Sequence, residues 1–235
     1  MRAKLQEREK ARRLRKDEGM PMKQIALRLG VSSGSVHLWT RDIAISPEHA
    51  ARNLERARAK FSATWSELNR ARRRAAQLEG RARAREGDPL HLAGCMLYWG
   101  EGHKSRGSVR LTNSDPNLLA FFRWFLTECF DVQPERLTVS LHVYLGNGLS
   151  IEEIESHWLG ALELPRSCLR KHMINPLPTS SSGKKRSKLP YGVCRLSLDD
   201  TRIVQHIYGA IQEYGGFEEP RWLDGPPIKR RPAVR

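Results

Sequence analysis

The sequence predicts an α+β protein with a three-helix amino-terminal unit, a long basic connecting helix, and a carboxy-terminal α/β domain. Three observations predict it. Up to Glu86 the apolar residues recur at three- and four-residue steps between Gly and Pro breaks, the period of helices. Beyond Asp88 such segments alternate with others, for example RLTVSLHVYL at 136–145, in which apolar and polar residues take turns as they do along strands. Charge, finally, is unevenly spread: residues 1–47 carry 11 basic and 5 acidic residues, 48–87 another 11 and 5, 88–182 only 8 and 10, and 183–235 again 11 and 6. The expected division is 1–47, 48–87, 88–216 and a basic, Pro-rich tail 217–235.

The chain has 235 residues, 39% of them apolar, enough to close a sizeable core. Lys and Arg outnumber Asp and Glu 41 to 26, a formal charge of +15. A near-neutral folded middle flanked by basic segments suits a protein whose arms and loops meet phosphates, so double-stranded DNA is the expected partner. The amino terminus MRAKLQEREKARRLRKDEG has no apolar h-region, and no run of 18 apolar residues occurs anywhere. A cytoplasmic, nucleoid-associated protein with no membrane partner is expected. Cys95, Cys129, Cys168 and Cys194 form no CxxC pair and read as core thiols in a reducing compartment.

In the first segment, residues 8–19 form a charged helix ending at Gly19; Pro21 opens PMKQIALRLG, which stops at Gly30 before VSSGSVHLWTRDI. The order is helix, helix, tight turn, helix. Ile25, Leu29, Val31, Val36 and Trp39 fall on one inward face, leaving Ser32, Ser33, Gly34, Ser35, His37, Leu38 and Arg41 outward. This pattern resembles a helix-turn-helix unit of the resolvase and transposase type. The resemblance implies that the last helix enters the major groove, with Ser33, Ser35 and His37 toward base edges, Arg41 on phosphate and Ser32 among the DNA-binding residues.

From Glu48 to Glu86 the only glycine is Gly80, so one long helix or two are expected. Leu54, Ala57, Phe61, Thr64, Leu68, Ala71, Ala75, Leu78 and Ala82 make a heptad-like stripe. It serves either a coiled coil that makes a homodimer or a helix resting on its own domains. The many alanines favour the second, with Arg72, Arg73 and Arg74 facing DNA or solvent.

In the last folded segment Asp88-Pro89 marks a helix start. Leu90, Ala93, Leu97, Tyr98 and Glu101 share a face of that helix, and Ala93 and Gly94 leave room for a neighbouring helix. Glu101 arrives at the helix's carboxy-terminal end, against the dipole, and calls for compensation by Lys104, His103 or a divalent cation. Downstream, GSVRLTNSDPNLLAFFRWFLTECF reads as a strand and a helix capped at Ser114 or Asp115, and Ser150 with Glu153 makes a capping box. CLRKHMINPL and PYGVCRLSLDD read as strands and TRIVQHIYGAIQEYG as the closing helix.

The stretch MLYWGEG at 96–102 is similar to the last seven positions of the LAGLIDADG motif of homing endonucleases, with Glu101 at the acidic position and Gly102 at the closing glycine. Together with LTNSDP and the late PYG it resembles the helix-turn-helix plus LAGLIDADG-like proteins of actinobacteria, archaea and their mobile elements. Met96 and Trp99 are large where that family often has smaller or acidic residues. The resemblance implies a LAGLIDADG-like domain whose antiparallel, saddle-shaped sheet lies across the major groove. It also implies motif helices that pair between repeats or subunits, Glu101 as a ligand of catalytic Mg²⁺, and Lys104 as the basic residue near the cleaved phosphate. A helix-end carboxylate paired to Lys104 or Arg106 is the alternative for Glu101.

Lys184, Lys185, Arg186 and Lys188 lie on the loop TSSSGKKRSKLPYG and are expected to follow a phosphate backbone, as is the tail IKRRPAVR. His142, His157, His172 and His206 stand singly and read as packed or surface residues. Ser180 to Ser182 lack a nucleophile frame, and Gly146-Asn147-Gly148 lacks the Lys-Ser/Thr of a phosphate loop. With one acidic motif position and no second copy, a sequence-specific DNA-binding regulator needing no cofactor ranks above a Mg²⁺-dependent endonuclease.

Overall fold

A computed structural model describes residues 2–144, 148–175 and 189–225, so Lys184, Lys185, Arg186, Lys188 and the tail from 226 lie outside the described residues. The chain divides into two compact units, Met1–Leu68 and Asn69–Arg235. The connecting segment is therefore not a part of its own: its first half belongs to the first unit and its second half to the other.

In the first unit α1 (Arg2–Lys16), α2 (Met22–Leu29) and α3 (Ser33–Thr40) surround Ala11, Ile25, Ala26 and Val36, with Leu29, Val31 and Trp39 packed against them. The inward face is the one the spacing predicts. Gly30 ends α2 in the left-handed conformation at φ 65°, and its N–H returns to the Ala26 carbonyl, a turn that a side chain would strain. Ser32 then opens α3 by accepting a hydrogen bond from the Ser35 N–H. Arg12 on α1 holds the far end of α3, donating to the Trp39 carbonyl at 2.7 Å and to both oxygens of Asp42. That guanidinium draws the Asp42 carboxyl down to about 2.

The connecting helix is single, α4 (Pro47–Arg85). The stripe read from the sequence is not its packed face, which corrects the expectation that it rests on its own domains. Leu54, Phe61, Leu68 and Leu78 are 52%, 70%, 42% and 60% exposed, whereas Arg73, Ala76, Gly80 and Ala84 are buried in the second unit. The reason is a close crossing. A Cβ on Gly80 would run into the His206 carbonyl, and one on Gly209 into the Gln77 carbonyl, so α4 and the helix Thr201–Gly215 meet backbone to backbone and only the smallest residues fit between them.

The second unit continues with α5 (Pro89–Glu101), β1 (Val109–Asn113), α6 (Pro116–Phe130), β2 (Thr138–Tyr144), α7 (Ile151–Leu162), β3 (Met173–Asn175), β4 (Val193–Leu198), α8 (Thr201–Gly215) and the short α9 (Arg221–Asp224). The caps are local and legible: Asp88 before Pro89, Asp115 before Pro116, and the Ser150–Glu153 capping box. The sheet order is β1-β4-β2-β3. β4 runs antiparallel to both β1 and β2, but β3 pairs parallel with β2, so the sheet is mixed and not antiparallel throughout. The cause is the connection. β3 returns after α7, and such a helical crossover brings a strand back in its original direction. Residues 217–225, assigned above to a tail, fold onto the unit, with Trp222 stacked on Tyr208 and Leu223 buried.

One sheet face is core: Val109 and Leu111, Val139, Leu141 and Val143, Cys194, Leu196 and Leu198 are buried beneath the helices. The four cysteines are free thiols, three of them buried. Between α5 and α8, His91 Nε2 lies 3.1 Å from His206 Nε2, and His91 Nδ1 lies 2.8 Å from the Tyr214 hydroxyl. One imidazole must donate to the other, so both cannot be charged without breaking the contact.

Burial lowers His91, and burial with the neighbouring His91 lowers His206 to about 4. Unfolding returns both to about 6.5, so the unfolded chain binds protons that the folded one refuses. Their contribution to stability is complete above about pH 6.5 and is lost as pH falls toward 4. Urea midpoints should fall between pH 7 and 5, and less steeply in His206→Gln; equal slopes in the two proteins contradict this account.

Candidate nucleic-acid interface

The outward side of α3 is presented by its buried side. Because Val36 and Thr40 face the core, Ser33, Gly34, His37, Leu38 and the following Arg41 are exposed. Not every residue expected there is equally available. The Ser32 oxygen is the helix cap, and the Ser35 hydroxyl lies 2.9 Å from it and is half-buried, so this pair shapes the helix start while Ser33, His37 and Arg41 project from it. Leu38, 65% exposed, adds an apolar group of the kind that meets a thymine methyl.

The second unit offers a larger surface, on the sheet that the resemblance places across the major groove, none of whose residues was assigned to DNA from the sequence. The sheet face opposite the core carries Arg110 and Thr112 from β1, Thr138, Ser140, His142 and Tyr144 from β2, and Arg195 and Ser197 from β4, all half-buried or exposed. Register brings them into rows: Thr112 beside Arg195 beside Ser140, and Arg110 beside Ser197 beside Thr138. Arg195 Nε lies 3.3 Å from the Thr112 hydroxyl. No carboxylate stands on this face of β1, β2 or β4. At one end His103 is lowered by burial and, less, by the nearby charges of Arg110, Arg195 and Lys104. The signal available in the sequence was the polar half of each alternating strand, which reads equally well as ordinary solvent exposure.

Glu101 ends α5 exposed, and its Oε2 lies 3.4 Å from the Asn113 amide at the end of β1. It forms no ion pair among the described residues, neither with Lys104 nor with Arg106. Lys104 instead turns back on the helix. Its ammonium donates to the carbonyls of Tyr98, Trp99 and Gly102 at 3.0, 2.8 and 2.7 Å. The cation that this helix end calls for is thus bound to the backbone carbonyls themselves, where the dipole concentrates negative charge. Burial lowers the Lys104 ammonium from its ordinary range, with Glu101 acting in the opposite sense.

Among the described residues no group of three or more His, Cys, Asp or Glu is placed to hold a metal ion.

The arginine cluster of α4 divides. Arg72 and Arg74 are exposed, but Arg73 is 9% exposed, donating from Nε to the Leu223 carbonyl at 2.7 Å and from its other end to Asp224. It therefore fastens α9 to α4, correcting the expectation that it faces DNA or solvent.

No family model, curated protein or solved structure matches this chain.

Removing the helix-end cation should be visible in stability alone. Lys104→Met should cost about 1–2 kcal/mol, since it removes an ammonium shared by three carbonyls at a helix terminus. Lys104→Arg should recover part of that in thermal melts. A Lys104→Met protein as stable as the wild type refutes the capping role.

Proposed function

We propose that the chain is a sequence-specific double-stranded DNA-binding protein acting as a transcriptional regulator. The observation that carries the reading is the open sheet face: cations and neutral hydrogen-bonding side chains in register on three strands, with no carboxylate among them. Such a face can meet base edges with Ser, Thr and His and neighbouring phosphates with Arg. The exposed side of α3 supports it, with Ser33, His37 and Leu38 toward bases and Arg41 toward phosphate, in the manner of a helix-turn-helix recognition helix.

Two unlike reading surfaces on one chain suit an asymmetric site. A homodimer would instead suit a palindrome, and Leu54, Phe61 and Leu68, exposed at seven-residue spacing on α4, are the side chains that would form its seam. No helix among the described residues is long and apolar enough to cross a membrane, and association with the nucleoid follows from the DNA-binding reading.

A second reading is favoured by one observation, the exposed carboxylate of Glu101 at the carboxy-terminal end of α5. In a LAGLIDADG-like endonuclease that position binds the metal, and here a second copy of the chain would have to supply the other carboxylate.

Selection of bound duplexes from a random pool, divided between Mg²⁺ and EDTA, separates the two. The regulator reading expects intact, enriched duplexes in both arms, unchanged by Glu101→Gln, and an altered site preference in His37→Ala. Cleavage that requires both Mg²⁺ and Glu101 establishes the nuclease; no enrichment at all defeats both.

A further inference from the structure

Every residue of α4 from 54 to 68 is exposed, about four turns of helix. Leu54, Phe61 and Leu68 stand in it at seven-residue spacing, yet a helix draws most of its stability from packing an apolar face. The first unit holds the helix just before this stretch, where the Asn53 amide donates to the Gly19 carbonyl at 2.7 Å.

Small residues alternate with the large ones. Ala57 and Thr64 occupy the intervening positions of the same stripe, and the Thr64 hydroxyl donates to the Lys60 carbonyl at 3.0 Å, so it can be covered without leaving a polar group unpaired. Lys60 and Glu67 flank the stripe on one side, and neither forms a salt bridge among the described residues.

We propose that a second copy of the chain covers this face, paired antiparallel so that Phe61 lies opposite Thr64 and Leu68 opposite Ala57. Each large side chain then meets a small one, which fills the seam evenly. A parallel pair would set Phe61 against Phe61 and Ala57 against Ala57, crowding one layer and emptying the next. Charge selects the register. With Phe61 opposite Thr64, Lys60 of each copy falls beside Glu67 of the other and Arg58 beside Trp65, whereas one heptad away Lys60 would meet Lys60 and Arg58 would meet Arg58.

A further step rests on the DNA-binding reading, as the pairing itself does not. The two-fold axis of the seam turns the first units end for end and sets the two Asn53 anchors about nineteen residues, or about 28 Å, apart along it. That is on the order of one duplex turn, roughly 34 Å, the spacing at which two recognition helices read an inverted repeat.

Sedimentation velocity of the full chain over a range of concentrations tests the pairing. The wild type should dimerise and Phe61→Ser should not. Lys60→Glu and Glu67→Lys should each weaken the dimer about three- to tenfold, since each brings like charges together twice. The two single variants, mixed, should pair with each other, and both changes in one chain should restore self-association, because every facing pair is again opposite in sign. Circular dichroism should show all of them folded. A monomeric wild type, or single variants that dimerise as well as it does, overturns the antiparallel seam and leaves the DNA-binding reading standing. A dimer that enriches duplexes without an inverted repeat overturns the second step alone, and a dimer that binds no duplex overturns the DNA-binding reading while the seam stands.

Discussion

The second unit is organised by the meeting of two backbones. α4 and α8 cross at Gly80 and Gly209 so closely that each glycine faces a carbonyl of the other helix. A glycine in a helix interior costs roughly 1 kcal/mol relative to alanine, and here both are offset by the packing they allow. That crossing is lined by Ala76 and Ala84 and closed at one end by Arg73, which reaches past α8 to the carbonyl of Leu223. Gln77 then bonds Gln205 at 2.7 Å, and Gln205 in turn holds the turn at Arg106 and the carbonyl of Trp222. The same crossing that fixes α8 therefore fixes the turn before β1.

A second constraint acts at the end of α5. Driving a helix to a carboxylate creates a concentration of negative charge that some cation must answer. Lys104 answers it on the carbonyls, and Tyr98, buried below, donates its hydroxyl to the His103 carbonyl at 2.7 Å. Glu101 is left at the surface beside Asn113, next to a sheet face that carries only positive and neutral groups.

Local signals in the sequence were reliable where the chemistry is local. Asp88, Asp115 and Ser150 cap helices because the pairing of a short polar side chain with the next turn needs no distant partner. Ile25, Val36 and Gly30 declared the first unit for the same reason. The errors concern long-range choices. Alternation along RLTVSLHVYL marks a strand but not its partners, so the parallel pairing of β3 was not legible. On α4 the larger apolar residues advertised a face, yet close packing selected Ala76, Gly80 and Ala84 instead. Arg73 lay within a run of three arginines, and nothing local distinguishes the one that turns inward to a carbonyl 150 residues away. Lys104, expected to compensate the end of α5, does so by donating to backbone carbonyls only a turn away.

The central claim is that both units meet DNA through particular faces, α3 in one and the open sheet in the other. It is tested most directly by photo-crosslinking a selected duplex to the full chain and mapping the linked residues by mass spectrometry. The account predicts crosslinks at Ser33, His37 and Arg41 and on the sheet residues Arg110, Ser140, His142 and Arg195. Links confined to the buried-face side of either unit, or to α7 and the far helices, would contradict it.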